Sequence, residues 1–281
     1  VSLEHNLQPL SSLGAAVAGG TTGGAGGPPP PSSAAARYGL KHFSASSCNL
    51  FQSDPALFVM EKLLGIRSPV GCAAHRGSAS EAGVAAGLMN PDKPLVECQE
   101  LAVKEFDRLS ALSTDPARDK ERAAVPGIVA QGLDALRPYG VPSHTQLKIE
   151  WQHPDLPLPF IGYVDFYFEQ SGVIVDLKTQ HRLASEVAVN HAKQISLYCA
   201  AISDNLEGRV TYCTPAKHAT YRVENMREHL SALVKVAQTI ERFLSINDDP
   251  QALAQYVAPN YDSYLWNDTR ARQAAFQIWG F

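Results

Sequence analysis

Residues 160–179 read FIGYVDFYFEQSGVIVDLKT. Two runs rich in β-branched and aromatic residues, 160–168 and 173–178, flank the turn-forming Glu169-Gln170-Ser171-Gly172. The stretch predicts a β-hairpin. With residues 169–172 as the loop, Phe168 pairs with Val173, and the same count sets Asp165 opposite Asp176. Opposed residues of this kind have β-carbons roughly 4.5–5.5 Å apart. Side chains alternate along a strand, so Lys178 shares a face with Asp176. Val164, Phe166, Val173, Val175 and Leu177 are expected on the other face as an apolar wall.

Two carboxylates and a lysine then crowd one spot. Opposed like charges destabilise a sheet, and a cation between them reverses that effect. Hard oxygen ligands match Mg2+ or Mn2+. Such a metal polarises a phosphoryl oxygen and acidifies a bound water, and Lys178 would orient that water or neutralise developing charge. The spacing alone describes equally well an Asp–Lys–Asp cluster on a solvated sheet face.

Downstream, residues 187–202 read as a helix. Gln194 and Tyr198, four apart, share one of its faces with His191. That face is turned either to the site and a DNA backbone or to solvent beside a helix–sheet seam. Residues 209–213 and 220–223 follow as a strand pair. Residues 226–244 form a long helix with Leu230, Leu233, Val234 and Ile240 on one side, and 267–279 a short one. Upstream, QLKIEW (146–151) alternates as a half-buried strand does. The chain before it is helical. Residues 44–64 start at a Ser44 or Ser46 cap and kink at Pro55. Residues 73–88 are rich in Ala and Gly and fit close packing. Residues 95–112 and 117–136 follow, the second interrupted by Pro126. The fold class is therefore α/β, in the order helices, three strands, helix, strand.

Residues 11–36 are uncharged and rich in Gly, Ser, Ala, Thr and Pro. Such a stretch cannot bury enough apolar surface to offset its ordering entropy. Residues 1–37 are accordingly expected to be a disordered tail, and 38–281 a folded domain. The 281 residues carry a net charge of −4, which argues against a protein that coats nucleic acid by bulk charge. A local basic groove remains compatible with that figure. The five cysteines stand apart with no C-x-x-C pair, which argues against a disulfide framework or zinc ribbon and for reduced thiols. No run of about 18 apolar residues is present, so no membrane span is expected. VSLEHNLQPL has neither the basic start nor the apolar stretch of a secretory signal, and a chain opening on Val1 is read as a fragment or processed product.

The run GYVDFYFEQSGVIVDLKT followed by HAKQISLY resembles motifs II to IV of the RecB-like, phage-exonuclease branch of the PD-(D/E)XK nucleases. In that branch an aspartate on one strand precedes D-x-K on the next and Q-x-x-x-Y on a helix. Asp165, Asp176, Lys178, Gln194 and Tyr198 match position by position. AAHRGSASEAG resembles the motif I helix, with Glu81 as its carboxylate, and FSASSCNLFQSDPALFVMEKLLG the N-terminal helix of such exonucleases. The resemblance spans residues 43–198. It implies a restriction-endonuclease-like αβββαβ core with a small mixed sheet and a helical N-terminal half.

It further implies Mg2+ or Mn2+ held by Glu81, Asp165, Asp176 and the Leu177 main-chain carbonyl. Lys178 would serve the water, with Gln194 and Tyr198 orienting it or the DNA. His75 is a further candidate ligand, with Glu81 the better fit to the acidic motif. Arg76, His191, Ser44 and Ser46 are candidate phosphate contacts; helix capping competes for the two serines. Some relatives hold an iron–sulfur cluster, but no cysteine follows Cys213 here, so none is expected. No Walker A motif is present. YDSYLWNDTRARQAAFQIWGF, with Arg270 and Arg272, reads either as a base-stacking surface or as a helix closing the core. The implied activity is DNA phosphodiester hydrolysis by an exonuclease of phage recombination or DNA repair, in a bacterial or phage-infected cytosol. The implied partner is a single-strand annealing or recombination protein, with an oligomer left open. The rivals are a structure-specific endonuclease and a non-catalytic nucleic-acid-binding protein of the same fold.

Overall fold

A computed structural model describes residues 33–281. Its centre is a five-stranded mixed sheet in the order β1-β2-β3-β4-β5. The strands are β1 (His144–Trp151), β2 (Phe160–Phe168), β3 (Val173–Thr179), β4 (Glu207–Cys213) and β5 (His218–Arg222). All neighbours are antiparallel except β3 and β4, which run parallel. A parallel pair needs a crossover, and the helix Val189–Ile202 supplies it. The β2–β3 hairpin turns through a short 3-10 turn, Glu169–Ser171, and Gly172 at φ 61°. Only glycine enters that left-handed region without steric cost.

Each face of the sheet is covered by helices. In chain order these are α1 (Ala34–Arg37), α2 (Ala45–Ser53), α3 (Pro55–Phe58), α4 (Cys72–Met89), α5 (Leu95–Leu109), α6 (Arg118–Leu136), α7 (Val189–Ile202), α8 (Met226–Leu244), α9 (Pro250–Ala254) and α10 (Thr269–Trp279). One core joins α1, α2, α7 and α8 to the sheet through Phe160, Val164, Ile174 and Val210. The other joins α4, α5 and α6 through Phe166, Val173, Val175 and Leu177. The Ala/Gly pattern of α4 is explained there. A β-carbon on Gly83 would lie 2.8 Å from Ala102 Cβ, and one on Gly87 2.8 Å from Leu133 Cδ2. A third, smaller core packs α3 against Trp266 and α10.

Three expectations are revised. Residues 44–64 form not one kinked helix but α2, α3 and a π-turn, Val59–Leu63. Asp54 breaks the run by capping α3, its carboxylate accepting from the Leu57 N–H. Pro126 does not interrupt α6. Its neighbours Val125, Ile128 and Val129 are fully buried, and that packing outweighs the roughly 3 kcal/mol propensity penalty of an internal proline. The expected tail, residues 1–37, lies outside the described residues up to 32. Within them, Ala34 and Ala35 are buried in α1, and their N–H groups donate to Glu241. Finally, the apolar wall is split, with Val164 in one core and Phe166 in the other. The β1–β2 register pairs Thr145 with Phe166 and Leu147 with Val164, skipping Gln146 and Asp165. Gln146 has φ 51°, and this kink breaks the alternation that the sequence pattern predicts. Among the described residues no helix is long and apolar enough to cross a membrane.

Candidate active site

The β2–β3 ladder pairs Phe168 with Val173, Tyr167 with Ile174 and Phe166 with Val175, then stops. That register is the one counted from the loop, and the next step along it is Asp165 and Asp176. Here the Leu177 N–H donates not to a strand carbonyl but to Asp165 Oδ2, at 2.9 Å. The hairpin splays where its two aspartates meet. Leu177 keeps its side chain in the α4–α6 core.

Asp176 is 1% exposed, and neither carboxylate oxygen has a hydrogen-bond donor of acceptable geometry. Its one close partner is the Lys178 ammonium, 2.7 Å from Oδ2. Burial works against the Lys178 charge, but Asp176 and then Asp165 outweigh it and hold its proton on. Glu81 reaches the same spot from α4. Gln146 bridges the two other acids, its Nε2 donating to Glu81 Oε1 and, at 3.2 Å, to Asp165 Oδ1. Burial, with Asp176 adding to it, pushes the Glu81 carboxyl up to about 7. Burial raises Asp165 well above the usual carboxylate range, helped by Asp176 and Glu81. Three carboxyl groups thus crowd a single ammonium.

A relay runs from Lys178 into α7. Its Nζ donates to Gln194 Oε1 at 3.2 Å, and Gln194 Nε2 donates to the Tyr198 hydroxyl at 2.7 Å. Burial raises the Tyr198 phenol to about 12. The Tyr198 ring lies against Gly162, where a β-carbon would come within 2.5 Å of Cε1. His191 is nearby. Burial, then the charge of Lys178, lowers it to about 4, so its ring is neutral at pH 7. Tyr212 accepts from the Ala188 N–H, which leaves its hydroxyl free to donate to His191 Nδ1, 2.8 Å away.

The remaining candidates lie elsewhere. Ser44 caps α2, accepting from the Ser47 N–H, and its hydroxyl lies 3.0 Å from that of Ser46. His75 is about two-thirds of a turn round α4 from Glu81. It lines a separate hollow with Asp115 and Arg270. The structure therefore does not bring His75 to the carboxylates. Arg76 is 4% exposed and already engaged. It pairs with Glu121 and donates to the Thr179 carbonyl at 2.9 Å, with His181 Nε2 at 3.0 Å. It anchors the end of β3. Arg272 donates to the Trp266 and Tyr261 carbonyls, and Trp266 is fully buried. The C-terminal segment thus closes a core. Sequence reasoning missed Gln146, Glu121 and His181.

The donor set fits a hard divalent cation: three carboxylates, all oxygen donors, with two unsatisfied oxygens on Asp176. As arranged, no three Asp, Glu, His or Cys side chains among the described residues stand ready to hold one. Lys178 and Gln146 fill the ground between them.

A family model described as the PD-(D/E)XK nuclease superfamily matches residues 42–274. No curated protein matches the chain. One solved structure, reported as the crystal structure of SSO0001, is similar at 16% identity. It covers 65% of this chain and 81% of that one, with a TM-score of 0.31. A superposition that loose carries no structural argument.

Proposed function

The chain belongs to the PD-(D/E)XK nuclease superfamily, and from that premise we propose that it hydrolyses DNA phosphodiester bonds with Mg2+ or Mn2+, as an exonuclease of recombination or repair. The observation that carries the chemistry is Asp176, a buried carboxylate with two unsatisfied oxygens beside Asp165, Glu81 and Lys178. Its one cation among the described residues is the Lys178 ammonium, 2.7 Å from Oδ2; a buried carboxylate so sparsely paired is costly, and a ligand that adds positive charge offsets that cost. Glu81, Asp165, Asp176 and the Leu177 carbonyl would hold the metal. When bound, it supplies Lewis acidity to the scissile phosphate and a water acidified enough to attack.

The chain's own residues do the rest. Lys178, kept protonated by Asp176, offers N–H groups to the attacking water or to the phosphate oxygen that gains charge. Gln194 accepts one of those N–H groups and fixes the ammonium's direction, and Tyr198 fixes Gln194. His191, neutral and held by Tyr212, offers a polar contact on the same side of α7. The exonuclease role rests on the likeness of GYVDFYFEQSGVIVDLKT and HAKQISLY to the RecB-like branch. A cytosolic site of action rests on five cysteines that are all free and buried.

The test is digestion of end-labelled linear duplex, single-stranded and closed circular DNA with Mg2+ or Mn2+, with and without chelator. Linear DNA should be shortened from its ends and the circle left intact, with chelator abolishing cleavage. Nicking of the circle would replace the exonuclease by an endonuclease. No cleavage of any substrate, with no Mn2+ bound, would leave a non-catalytic member of the fold.

A further inference from the structure

We infer that Gln146 is a built-in placeholder for the metal: its carboxamide holds Glu81 and Asp165 together in the metal-free protein and must give up at least one of them when a cation enters. This rests on the proposed nuclease function and adds to it a residue that no motif contains.

Three independent observations meet at this position. The first is chemical. Gln146 Nε2 donates to both Glu81 and Asp165, the two carboxylates that lack the Lys178 partner. An amide N–H pair supplies two positive ends directed at two carboxyl groups, which is a weak imitation of a cation. The second is conformational. Gln146 adopts φ 51°, a left-handed region that is uncommon for a residue with a β-carbon. Strain of this kind persists only where surrounding structure fixes it, and it gathers at functional sites. The third is topological. Gln146 and Asp165 are the pair omitted from an otherwise continuous β1–β2 register. The kink that omits them lets Asp165 reach the Leu177 N–H while Gln146 reaches Glu81. A regular β1 would keep Gln146 in the alternation, on the face opposite its neighbours.

The placeholder role has an energetic consequence of definite sign. Hydrogen bonds to the carboxylates stabilise the metal-free state. A cation that takes the same oxygens displaces them, so the amide opposes metal binding by as much as it stabilises the free protein. A residue with a merely structural role would, when removed, weaken both the metal-free and the metal-bound protein.

The experiment compares wild type with Gln146→Ala and Gln146→Asn. Asparagine withdraws the amide by one methylene and tolerates the left-handed backbone, so it carries the test where the alanine variant fails to fold. Mn2+ affinity is read by calorimetry, and melting temperature with and without saturating Mn2+. The expected result is a lower melting temperature without metal and Mn2+ binding tightened by about tenfold or more, the worth of one hydrogen bond to a charged group. At saturating Mn2+ the melting temperatures of wild type and variants should converge. Mn2+ binding that is unchanged or weaker in both variants, with wild type binding normally, overturns the placeholder and makes Gln146 a support of the bound metal. Failure of wild type itself to bind Mn2+ overturns the metal reading of the whole site, and the placeholder with it.

Discussion

Two buried polar clusters hang from the end of β3, less than a turn of chain apart, and they are built on opposite terms. In one, Arg76 meets Glu121, the Thr179 carbonyl and His181, and opposite charges answer one another. In the other, Glu81, Asp165 and Asp176 face a single ammonium, and Asp176 keeps two unsatisfied oxygens. The first cluster ties β3 to α4 and α6 and holds still. The second is under electrostatic strain, which proton uptake by Glu81 and Asp165 eases and which the proposed metal would ease further. The pairing teaches a division of labour: the strained acids keep their positions because a satisfied pair next to them fixes the strand that carries two of the site's residues.

The sharpest way to break the comparison is to damage the satisfied side. Glu121→Ala leaves the Arg76 guanidinium buried without its counter-ion. Removing one partner of a buried pair costs about 3–5 kcal/mol, read as a fall in the denaturant midpoint at constant slope. A loss below about 1 kcal/mol would show that the pair does not anchor β3.

The next test concerns pH. Burial raises Glu81 to about 7 and moves Asp165 in the same direction. A carboxylate raised above its unfolded value stabilises the fold fully below that value, and the contribution disappears as pH rises through the folded one. Metal-free protein should therefore lose the Glu81 contribution, on the order of 2 kcal/mol, between about pH 4.5 and 7. His191, lowered to about 4 by burial, works the other way, because stability rises with pH between about 4 and 6.5 as the unfolded imidazole gives up its proton. The acid contribution is therefore read as the stability of wild type minus that of Glu81→Gln, which lacks the Glu81 titration and keeps His191. Asp107 and Asp115, held low by Arg122 and by the Cys72 N–H, act only below that window. Saturating Mn2+ should flatten the fall of that difference. A metal-free difference that does not fall through the window would contradict the strain assigned to these acids.

A smaller stability effect accompanies a larger functional one in Asp176→Asn. Removing one of the crowded charges should leave the metal-free protein as stable as wild type or up to about 1 kcal/mol more so. Cleavage should fall beyond the roughly 10–100-fold that outer-shell changes give. Near wild-type cleavage would remove Asp176 from the ligand set. The mildest change is Tyr198→Phe, which takes the acceptor from Gln194 Nε2. It should cost about 0.5–1.5 kcal/mol and lower kcat about tenfold with KM unchanged. A rise in KM at constant kcat would mean that Tyr198 contacts DNA instead of steadying Lys178.

The hairpin was legible because its loop length fixes its register, and Phe168–Val173 pair as counted. The α7 relay was legible because Gln194 and Tyr198 are one helical turn apart. What escaped was set by contacts distant in sequence. Arg76 and Glu121 are 45 positions apart and on different helices, so nothing local joins them. The kink at Gln146 hides behind a strand pattern whose polar and apolar residues alternate regularly, and only its skipped partner reveals it. Pro126 carries a local breaking signal that the packing of α6 overrides.

The contacts that join the two ends of the described chain bear on when the protein becomes active during its synthesis. Asp54 accepts from the Trp266 indole across 212 positions, and the α1 N–H groups donate to Glu241 across more than 200. Every residue of the candidate site has been synthesised once Tyr212 is added, yet the Glu241 contacts still await 29 residues of chain and the Trp266 contact 54. Asp54, buried and capping α3, lacks its second donor until then. Pairings so remote are also the slow ones to form, because loop-closure entropy precedes their reward. A nascent chain therefore carries all the candidate site residues before it has the frame that steadies them, and under the proposed function full activity is expected only after Trp266 has docked on Asp54.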